Sequence, residues 1–477
     1  MSATRPKAVI IGAGPVGCLL AVELRRRDFQ VEIYEKGTAD AVLRRGAGRS
    51  FNLTLTHRGI SVLHPRLRER VYHIGTVLRH RVVHHRDGGL TFQPYGVSEA
   101  HHLLSVPRSE LQREFIAEAR AAGAEFFYDS VCVGADAHRG EAMFVGSDGT
   151  VRRASGDILI GCDGANSALR YELSKTGARM QVHQEFIPHG HVELALTAEG
   201  AAGLRPDGMH LWPRGDHFLQ AQPNRDGSAT TTLFMPVESR DGDLHFRSLT
   251  DRRTVQEHFE REYPDIAAAL PYAADEVVRS RPALLKVVDC APYNYGRAVL
   301  VGDSAHTIVP FFGQGINCSF EDADVLCELL DKYLTSGVSR HEAIRAAGAE
   351  FSERRVAAGQ AISKLSMANL KELSQHIADD GFHRRKRLER ELHERHPDDF
   401  TQLYQMVAFT RTPYDEIVRR SRIDAMALDL LCEWYDPDTQ ADMIIGSYPE
   451  IRRGLGEDGH REPTPALAAA MSSKGEL

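Results

Sequence analysis

The sequence lacks several features that would place it in a special class of protein. Tryptophan occurs only twice, and the seven cysteines are scattered, odd in number and never spaced as Cys-x-x-Cys. This cysteine usage argues against a zinc ribbon or a dithiol redox motif and predicts reduced thiols and no bound metal. No run reaches the roughly 18 apolar residues of a membrane span, and no leader-like apolar segment follows Met1. We therefore expect a cytoplasmic protein that is not membrane-bound.

A surplus of one charge is also missing. The 58 basic and 66 acidic residues leave a net charge of -8 over 477 residues, so no basic field points to nucleic acid. The mixed-sign segment from Phe382 to Arg395 is typical of a solvated helix with internal ion pairs. With 42 % hydrophobic residues, the chain has ample material for packed cores, which excludes a disordered protein.

The first 35 residues carry a nucleotide-binding pattern in its full context. It consists, in order, of the apolar strand Lys7 to Ile11, the turn Gly12-Ala-Gly14-Pro-Val-Gly17, a helix from Cys18 to Arg27, the strand Gln30 to Tyr34, and Glu35. The glycines allow a tight turn, close approach of a pyrophosphate and close helix packing, and the acid lies where a ribose is usually bound. The pattern predicts a bound nucleotide, which at this point is either FAD or a nicotinamide cofactor.

Two basic positions suit further contacts with such a cofactor. Arg49 lies in the glycine-rich loop Arg45 to Asn52, and Arg108 precedes a predicted helix, Ser109 to Ala122. Free amides and positive charge at a helix start favour phosphate or ribityl oxygens. Each arginine taken alone is equally compatible with a solvated surface position.

A third pattern runs from Gly302 to Asn317 and reads GDSAHTIVPFFGQGIN. Asp303 follows an apolar strand, Arg297 to Val301, and two glycines lead into a long helix whose first amides can receive partial negative charge. Upstream, Asp163-Gly164 follows the short strand Asp157 to Ile160. An Asp-Gly turn capped by Asn166 or Ser167 would explain that second site structurally.

The three motifs together resemble the signature of the class A flavin hydroxylases, whose fold is that of para-hydroxybenzoate hydroxylase. Longer strings are similar to the kynurenine 3-monooxygenases between residues 7 and about 415. These strings are GRSFNLTL from Gly48, QPYG from Gln93, HGHVEL from His189, HLWP from His210, TLFMP from Thr232, Val309 to Asn317, and YQMVAFTRTPY from Tyr404.

The resemblance implies an α/β fold in which a Rossmann-type FAD-binding domain carries an inserted antiparallel-sheet substrate domain and a helical C-terminal region. We assign residues 1–74, 100–177 and 283–335 to the FAD-binding domain, 75–99 and 178–282 to the substrate domain, and 336–477 to helices covering the active site. The sequence supports this independently. Short runs at Gly208 to Leu211, His217 to Gln222 and Ala229 to Phe234 predict a meander.

The resemblance also implies an activity, the hydroxylation of L-kynurenine to 3-hydroxykynurenine. FAD would be bound, NADPH would visit transiently, and O2 would react through a flavin C4a-hydroperoxide in a dry pocket. A second Gly-x-Gly-x-x-Gly unit is missing, which argues against a separate nicotinamide domain, and no local motif decides between NADPH and NADH. We expect a monomer or a weak homodimer.

Particular residues follow from the same resemblance. The flavin's reacting edge and its negative charge are assigned to Pro310, Phe311, Gly313, Gln314 and Gly315. The remaining cofactor contacts are assigned to Gly12, Gly14, Gly17, Glu35, Arg49, Arg108, Asp163, Asp303, Gly315 and Asn317.

The substrate contacts implied by the resemblance describe an amino-acid carboxylate site. They are Arg81, Tyr95, Phe234, Asn369 and Tyr404. The ring pocket departs from the family, because alternation places the amides of Gln220 and Gln222 on one face and Phe312 replaces a common histidine. Either the glutamines contact each other or water, or the substrate is a kynurenine relative with an extra polar group.

Other functions remain open on the sequence alone. One alternative is a hydroxylase of a kynurenine- or anthranilate-related acid in a biosynthetic pathway. A flavin halogenase would need Trp-x-Trp, which Trp212 and Trp434 do not form. A non-enzymatic escort of the same fold would not need all three flavin motifs.

Overall fold

The structure described below is a computed structural model, and it describes residues 5–44, 52–177, 179–239, 244–374 and 380–456. The chain divides into two compact units, residues 1–374 and 375–477. The first unit is mixed α/β, and the described part of the second is helical. This confirms the predicted fold class.

The first unit is built around a six-stranded, mainly parallel sheet. Strands and helices are numbered in chain order throughout the protein. The sheet contains β1 (Lys7–Ile11), β2 (Gln30–Tyr34), β8 (Glu125–Phe127), β12 (Ile158–Gly161), β18 (Asn294–Tyr295) and β19 (Ala298–Leu300). Across the sheet, the strands lie in the order β18-β19-β12-β1-β2-β8. The predicted limits of β1 and β2 are confirmed. Strands β1, β12 and β19 are almost wholly buried, as parallel strands covered on both faces must be.

Helices cover this sheet and its connections. They are α1 (Pro15–Arg26), α2 (Ala39–Arg44), α3 (His57–Ser61), α4 (Pro65–Ile74), α5 (Arg108–Ala121), α6 (Ala168–Ser174), α10 (Gly315–Leu334) and α11 (Arg340–Ser374). Helix α1 packs on both α5 and α10. It begins at Pro15, three residues before the predicted start, because proline is well suited to the first position of a helix.

Two small antiparallel sheets flank the parallel one. The first contains β3 (Asn52–Leu55), β4 (Thr76–Leu78) and β7 (Leu103–Pro107), with β7 in the centre, and the second contains β9 (Val131–Asp136), β10 (Glu141–Val145) and β11 (Val151–Ser155). Strand β7 leads directly into α5, so the first small sheet sets the position of that helix start.

An eight-stranded sheet forms the other half of the unit. It contains β5 (His80–His84), β6 (Leu90–Pro94), β13 (Gln181–Leu196), β14 (Gly208–Pro213), β15 (Phe218–Pro223), β16 (Ala229–Pro236), β17 (Ala283–Ala291) and β20 (His306–Thr307), ordered β20-β17-β13-β16-β15-β14-β5-β6. All neighbours are antiparallel except β14 and β5. The predicted meander is therefore confirmed as β14, β15 and β16.

The two faces of this sheet have different neighbours. One face packs on α7 (Arg252–Glu262), α8 (Pro264–Ala267) and α9 (Ala273–Arg279) through a core that includes Trp212, Leu219 and Leu233. Side chains alternate along a strand, so Phe218, Gln220, Phe234 and their neighbours point to the opposite face, which we call the open face.

The second unit contains α12 (Asp380–Arg395), α13 (Leu403–Phe409), α14 (Tyr414–Trp434) and α15 (Ala441–Gly454). Its core includes Leu392, Leu431 and Tyr448. Among the residues that the structure describes, no helix combines the length and apolarity needed to cross a membrane.

Candidate active site

The glycine-rich turn between β1 and α1 is fixed by close backbone contacts. Gly12 has φ +104°, and a Cβ there would lie 2.4 Å from the carbonyl oxygen of Cys162. A Cβ at Gly17 would lie 2.2 Å from the carbonyl oxygen of Gly12. Gly14 differs, because a Cβ there would meet no heavy atom within 4 Å. The fold therefore needs the first and third glycines, and the second leaves the helix start approachable.

Glu35 lies at the end of β2, beside this turn. Its carboxylate accepts the amide hydrogens of Ala13 at 3.0 Å and of Gly37 at 2.9 Å, and the residue is 6 % exposed. Gln112, on the second turn of α5, donates to the carbonyl oxygen of Ala13. The Glu35 carboxylate and the glycine turn thus lie side by side at the ends of β2 and β1.

Asp163 joins two segments that are far apart in the sequence. One carboxylate oxygen accepts the amide hydrogen of Ala168 at 2.6 Å, and the other accepts the hydroxyl hydrogen of Ser304 at 3.0 Å. Ser304 also accepts from the amide of Gly164 at 3.0 Å. Ser167, not Asn166, caps α6. Asp163 therefore ties the Asp-Gly turn to the Gly302–Ser304 turn, and Ser304 is a contact that sequence reasoning missed.

Asp303 reaches the surface next to these turns. The surrounding protein raises the pKa of Asp303 by desolvation, and the positive charges of His306 and Arg108 oppose this shift. The Asp303 side chain itself remains exposed to solvent. The structure thus brings Arg108, at the start of α5, close to the Asp303 carboxylate.

The start of α10 faces the same region. Gly313 has φ +66°, a left-handed conformation that favours glycine, and its amide donates to the carbonyl of Pro310 at 2.9 Å. Gln314 is fully buried and Gly315 begins the helix. The first amides of a helix lack intrahelical partners and carry partial positive charge. This end of α10 can therefore stabilise negative charge on a bound ring.

Asn317 anchors that helix start to β3 and to the segment after it. Its amide oxygen accepts from the Thr56 amide at 2.8 Å, and its amide nitrogen donates to the carbonyls of Thr54 at 2.9 Å and Gly313 at 2.7 Å. The residue is fully buried. Asn317 thus holds the Gly313–Gly315 turn in place against β3.

A buried charge network lies behind the Gly302–Ser304 turn. Arg355 donates to Asp322 at 2.5 Å and to Glu321 at 2.9 Å. Arg58 donates to Glu321 at 2.7 Å, and His306 Nε2 lies 2.6 Å from Asp322. All five residues are 0–5 % exposed. Sequence reasoning missed this network because its members come from α3, β20, α10 and α11.

The electrostatics of this network are mutually consistent. Burial disfavours a charged imidazole, but Asp322 raises the pKa of His306 well above its usual value. Burial likewise opposes the Asp322 carboxylate, whereas His306 and Arg355 lower the pKa of Asp322. Cys318, His306 and Asp322 are close enough to bind a metal ion, but the Arg355 guanidinium already donates to both Asp322 and Cys318.

Aromatic side chains form one end of the open face. Phe218 and Phe234 stack with centroids 4.8 Å apart, and Phe311 contacts them edge-on at 6.0 and 5.6 Å. Phe312 is 5 % exposed in the same 3-10 turn, Pro310–Phe312. The segment predicted to border the flavin edge therefore packs directly on the eight-stranded sheet.

A charged group borders the same face. Arg81 lies 3.5 Å from the carboxylate of Glu372 on α11 and 5.9 Å from the ring centre of Tyr95. Burial raises the pKa of the Tyr95 phenol, which Arg81 opposes. Asn369, one turn before Glu372, donates to the carbonyl of Phe311 at 2.6 Å. Glu372 was missed by sequence reasoning, since no local pattern distinguishes it from a surface helix residue.

The two glutamines of β15 have different environments. Gln222 is 4 % exposed, and its oxygen accepts the hydroxyl hydrogen of Ser105 at 2.7 Å. Asn52 donates to Ser105 at 2.9 Å and to Asn224 at 2.8 Å. The predicted contact between Gln220 and Gln222 is therefore wrong for Gln222. This side chain instead joins the eight-stranded sheet to β7 and, through Ser105, to β3. Gln220 is half-buried and points to the open face.

Two predicted residues are not placed at this site. Arg49 lies outside the described residues. Tyr404 is the second residue of the short helix α13 in the second unit, where its ring contacts Phe409 edge-on at 6.4 Å. Their roles stay predictions.

The described residues fit FAD. Gly14 offers an approachable helix start, Glu35 a ribose acceptor, and Asp303 with Arg108 a polar edge for a ribityl chain. The start of α10 offers partial positive charge for the ring. Together with the sheet topology, this donor set defines an FAD-binding protein of the Rossmann type.

Comparison with known proteins identifies the family. The FAD binding domain family matches residues 5–360. The chain is 34 % identical to the kynurenine 3-monooxygenase of Flavobacterium johnsoniae, covering 87 % of this chain and 91 % of the relative. It is 33 % identical to that of Sus scrofa, covering 87 % and 86 %. The chain therefore belongs to the kynurenine 3-monooxygenase family.

Solved structures support the fold. A mutant of 2-methyl-3-hydroxypyridine-5-carboxylic acid oxygenase superposes with a TM-score of 0.63 at 20 % identity, covering 78 % of this chain and 93 % of the other.

Proposed function

We propose that this protein hydroxylates L-kynurenine at ring carbon 3, giving 3-hydroxykynurenine and consuming NADPH and O2. Membership of the family supports the reaction, and the site supports the substrate class. The described residues contain no separate nicotinamide-binding unit. The proposed use of NADPH is therefore inferred from the class of enzyme.

One observation carries the substrate class. Arg81 and Glu372 lie 3.5 Å apart, and Asn369, one turn before Glu372, donates to the carbonyl of Phe311. Phe311 belongs to the aromatic group that it forms with Phe218 and Phe234. Arginine suits a carboxylate and glutamate suits an ammonium, so the pair matches the zwitterionic end of an amino acid. The aromatic group matches its aryl end.

The chain's own residues would prepare the reaction. Bound FAD, reduced by NADPH, supplies the oxygen-activating chemistry. Phe311, Phe312 and Phe234 exclude water from the reacting edge, which suppresses unproductive release of peroxide. The amides that begin α10 stabilise negative charge on the reduced ring. Arg81 and Glu372 hold the substrate's amino-acid end, so that its ring is presented to the flavin.

The test is an assay of the FAD-loaded protein with L-kynurenine, NADPH and O2. We expect a product heavier by one oxygen and NADPH consumed in equal amount. Arg81→Ala should raise KM roughly 10- to 100-fold, the effect of losing a charge-assisted hydrogen bond, and leave bound FAD unchanged. Peroxide as the only product of the wild type would refute the proposed reaction.

A further inference from the structure

Three cross-strand pairs of β15 and β16 follow one another along the open face. The backbone register places Phe218 opposite Phe234, Gln220 opposite Thr232, and Gln222 opposite Thr230. Alternate residues of a strand share a face, so the three pairs form an aromatic, a polar and a second polar tier. The intervening residues, Leu219 and Leu233, belong to the core on the other face.

The outer two tiers are already engaged within the protein. The aromatic tier is stacked and contacted by Phe311. In the second polar tier, Gln222 accepts from Ser105, and Thr230 donates to Asn52 at 3.0 Å. These side chains have a structural task and cannot reorient towards a ligand without loss of those bonds.

The middle tier is different. Among the residues that the structure describes, neither the amide of Gln220 nor the hydroxyl of Thr232 has a side-chain hydrogen bond, although Thr232 is only 3 % exposed and Gln220 is half-buried. A ligand ring that covers these groups without bonding them would bind about tenfold or more weakly, because buried unmade hydrogen bonds are costly. The middle tier therefore requires a polar partner on the substrate.

We infer that Gln220, with Thr232 beside it, binds the ortho-amino ketone edge of the kynurenine ring. This inference rests on the proposed function. A primary amide presents an acceptor and a donor side by side, and the aryl amine and ketone present a donor and an acceptor side by side. The Gln220 oxygen accepts from the ring amine and its nitrogen donates to the ketone, and Thr232 supplies a further hydroxyl.

This contact would determine which carbon reacts. The ring carbon that is hydroxylated neighbours the carbon that bears the amine, so fixing the amine fixes the reacting carbon. The aromatic tier holds the ring's plane but does not distinguish its two orientations, which differ by a half-turn about the bond between the ring and the ketone. Gln220 is thus a specificity-determining residue, and Arg81 anchors the opposite end of the molecule.

The test compares two ligands by equilibrium binding to the oxidised, FAD-loaded protein, read from flavin absorbance or fluorescence. One ligand is L-kynurenine, and the other is its desamino analogue, in which hydrogen replaces the ring amine. Gln220→Met keeps the length of the side chain and removes its polar atoms. We expect the Kd for L-kynurenine to rise about tenfold and the Kd for the analogue to change less than about twofold.

Thr231→Val is the matched control for Thr232→Val. Thr231 lies on the same strand, is fully buried and faces the helix-covered side. We expect weaker kynurenine binding only from the change at Thr232. Product analysis of Gln220→Met should also show oxygen inserted at other ring positions or lost as peroxide.

The outcomes separate this inference from the proposed function. If the wild type neither binds nor hydroxylates L-kynurenine, the proposed function is wrong. If it does both, and Gln220→Met weakens the two ligands equally or not at all, the function stands and the role of Gln220 is refuted.

Discussion

At the scale of single residues, the glycines of the first turn have separable tasks. Gly12 and Gly17 are required by contacts within the protein, and only Gly14 borders open space. Gly14 has φ -68° and ψ 171°, a conformation that alanine adopts without strain. The same motif therefore contains positions for folding and a position for binding.

Gly14→Ala should leave the thermal stability of the FAD-free protein unchanged and raise the Kd for FAD at least about tenfold, because a methyl group would stand where a pyrophosphate approaches. Gly12→Ala should destabilise the FAD-free protein by at least about 3 kcal/mol, through clash and a left-handed backbone. Calorimetry of the FAD-free forms and flavin titration check both. Equal destabilisation by the two changes would contradict this division.

At the scale of elements, β3 is held at both ends. Asn52 at its start bonds Ser105, Asn224 and Thr230, and the segment after it bonds Asn317 at the start of α10. The strand thus connects the eight-stranded sheet with the start of α10. Its position depends on side chains that are 53 to 261 residues distant in sequence.

A double-mutant cycle tests the joint between Gln222 and Ser105. Ser105→Ala and Gln222→Leu should each lower the free energy of unfolding by about 1–3 kcal/mol, and together by about 1 kcal/mol less than their sum. Urea denaturation measures these free energies, each taken from the first cooperative unfolding transition. Ser105→Ala with Thr231→Val is the control pair, for which we expect additive effects. Additivity in the Gln222 pair as well would show that the bond contributes nothing.

The sequence predicted those elements whose cause is local. The turn from Gly12 to Gly17, the strands of the meander and the turn at Gly313 each follow from spacing or residue type over a few positions. Glu372, His306 and Ser105 could not be found in this way, because each acquires its task from a partner on a different element. The environment of Gln222 was mispredicted for the same reason, since Ser105 precedes it by 117 residues.

At the scale of the whole molecule, the buried network of Arg58, Glu321, Arg355, Asp322 and His306 joins four elements behind the Gly302–Ser304 turn. Asp322 also accepts from the amide of Gly302 at 3.1 Å. Removing a carboxylate from this network would leave a buried cation without its partner, which costs more than the loss of an exposed ion pair.

The network predicts that the contribution of His306 to stability falls as pH rises. The pKa of His306 is raised in the folded state, so its stabilisation is complete below the unfolded pKa of about 6.5 and declines as pH rises towards the folded value. We expect the free energy of unfolding of the FAD-loaded wild type to exceed that of His306→Gln by about 1.5–3 kcal/mol near pH 6, the contribution of a hydrogen bond to a charged group. Melting temperatures should show this gap narrowing steadily between pH 6.5 and 8.5.

His258→Gln is the control for that experiment. Burial, assisted by His217, lowers the pKa of His258 to about 3, so this side chain is neutral in both states above about pH 7.5. The difference in melting temperature between His258→Gln and wild type should stay constant above that pH and change only at lower pH. A constant gap for His306→Gln over the same range would refute a protonated His306.

The tiers of the open face bear on how this enzyme can change in evolution. Substitutions in the aromatic tier disturb the turn at Phe311, and substitutions at Gln222 disturb β3, so both carry a penalty in folding. Substitutions at Gln220 and Thr232 disturb no bond within the described chain. New substrate preferences are therefore most accessible at these two positions, and a library limited to them should yield altered ligands without compensating mutations elsewhere.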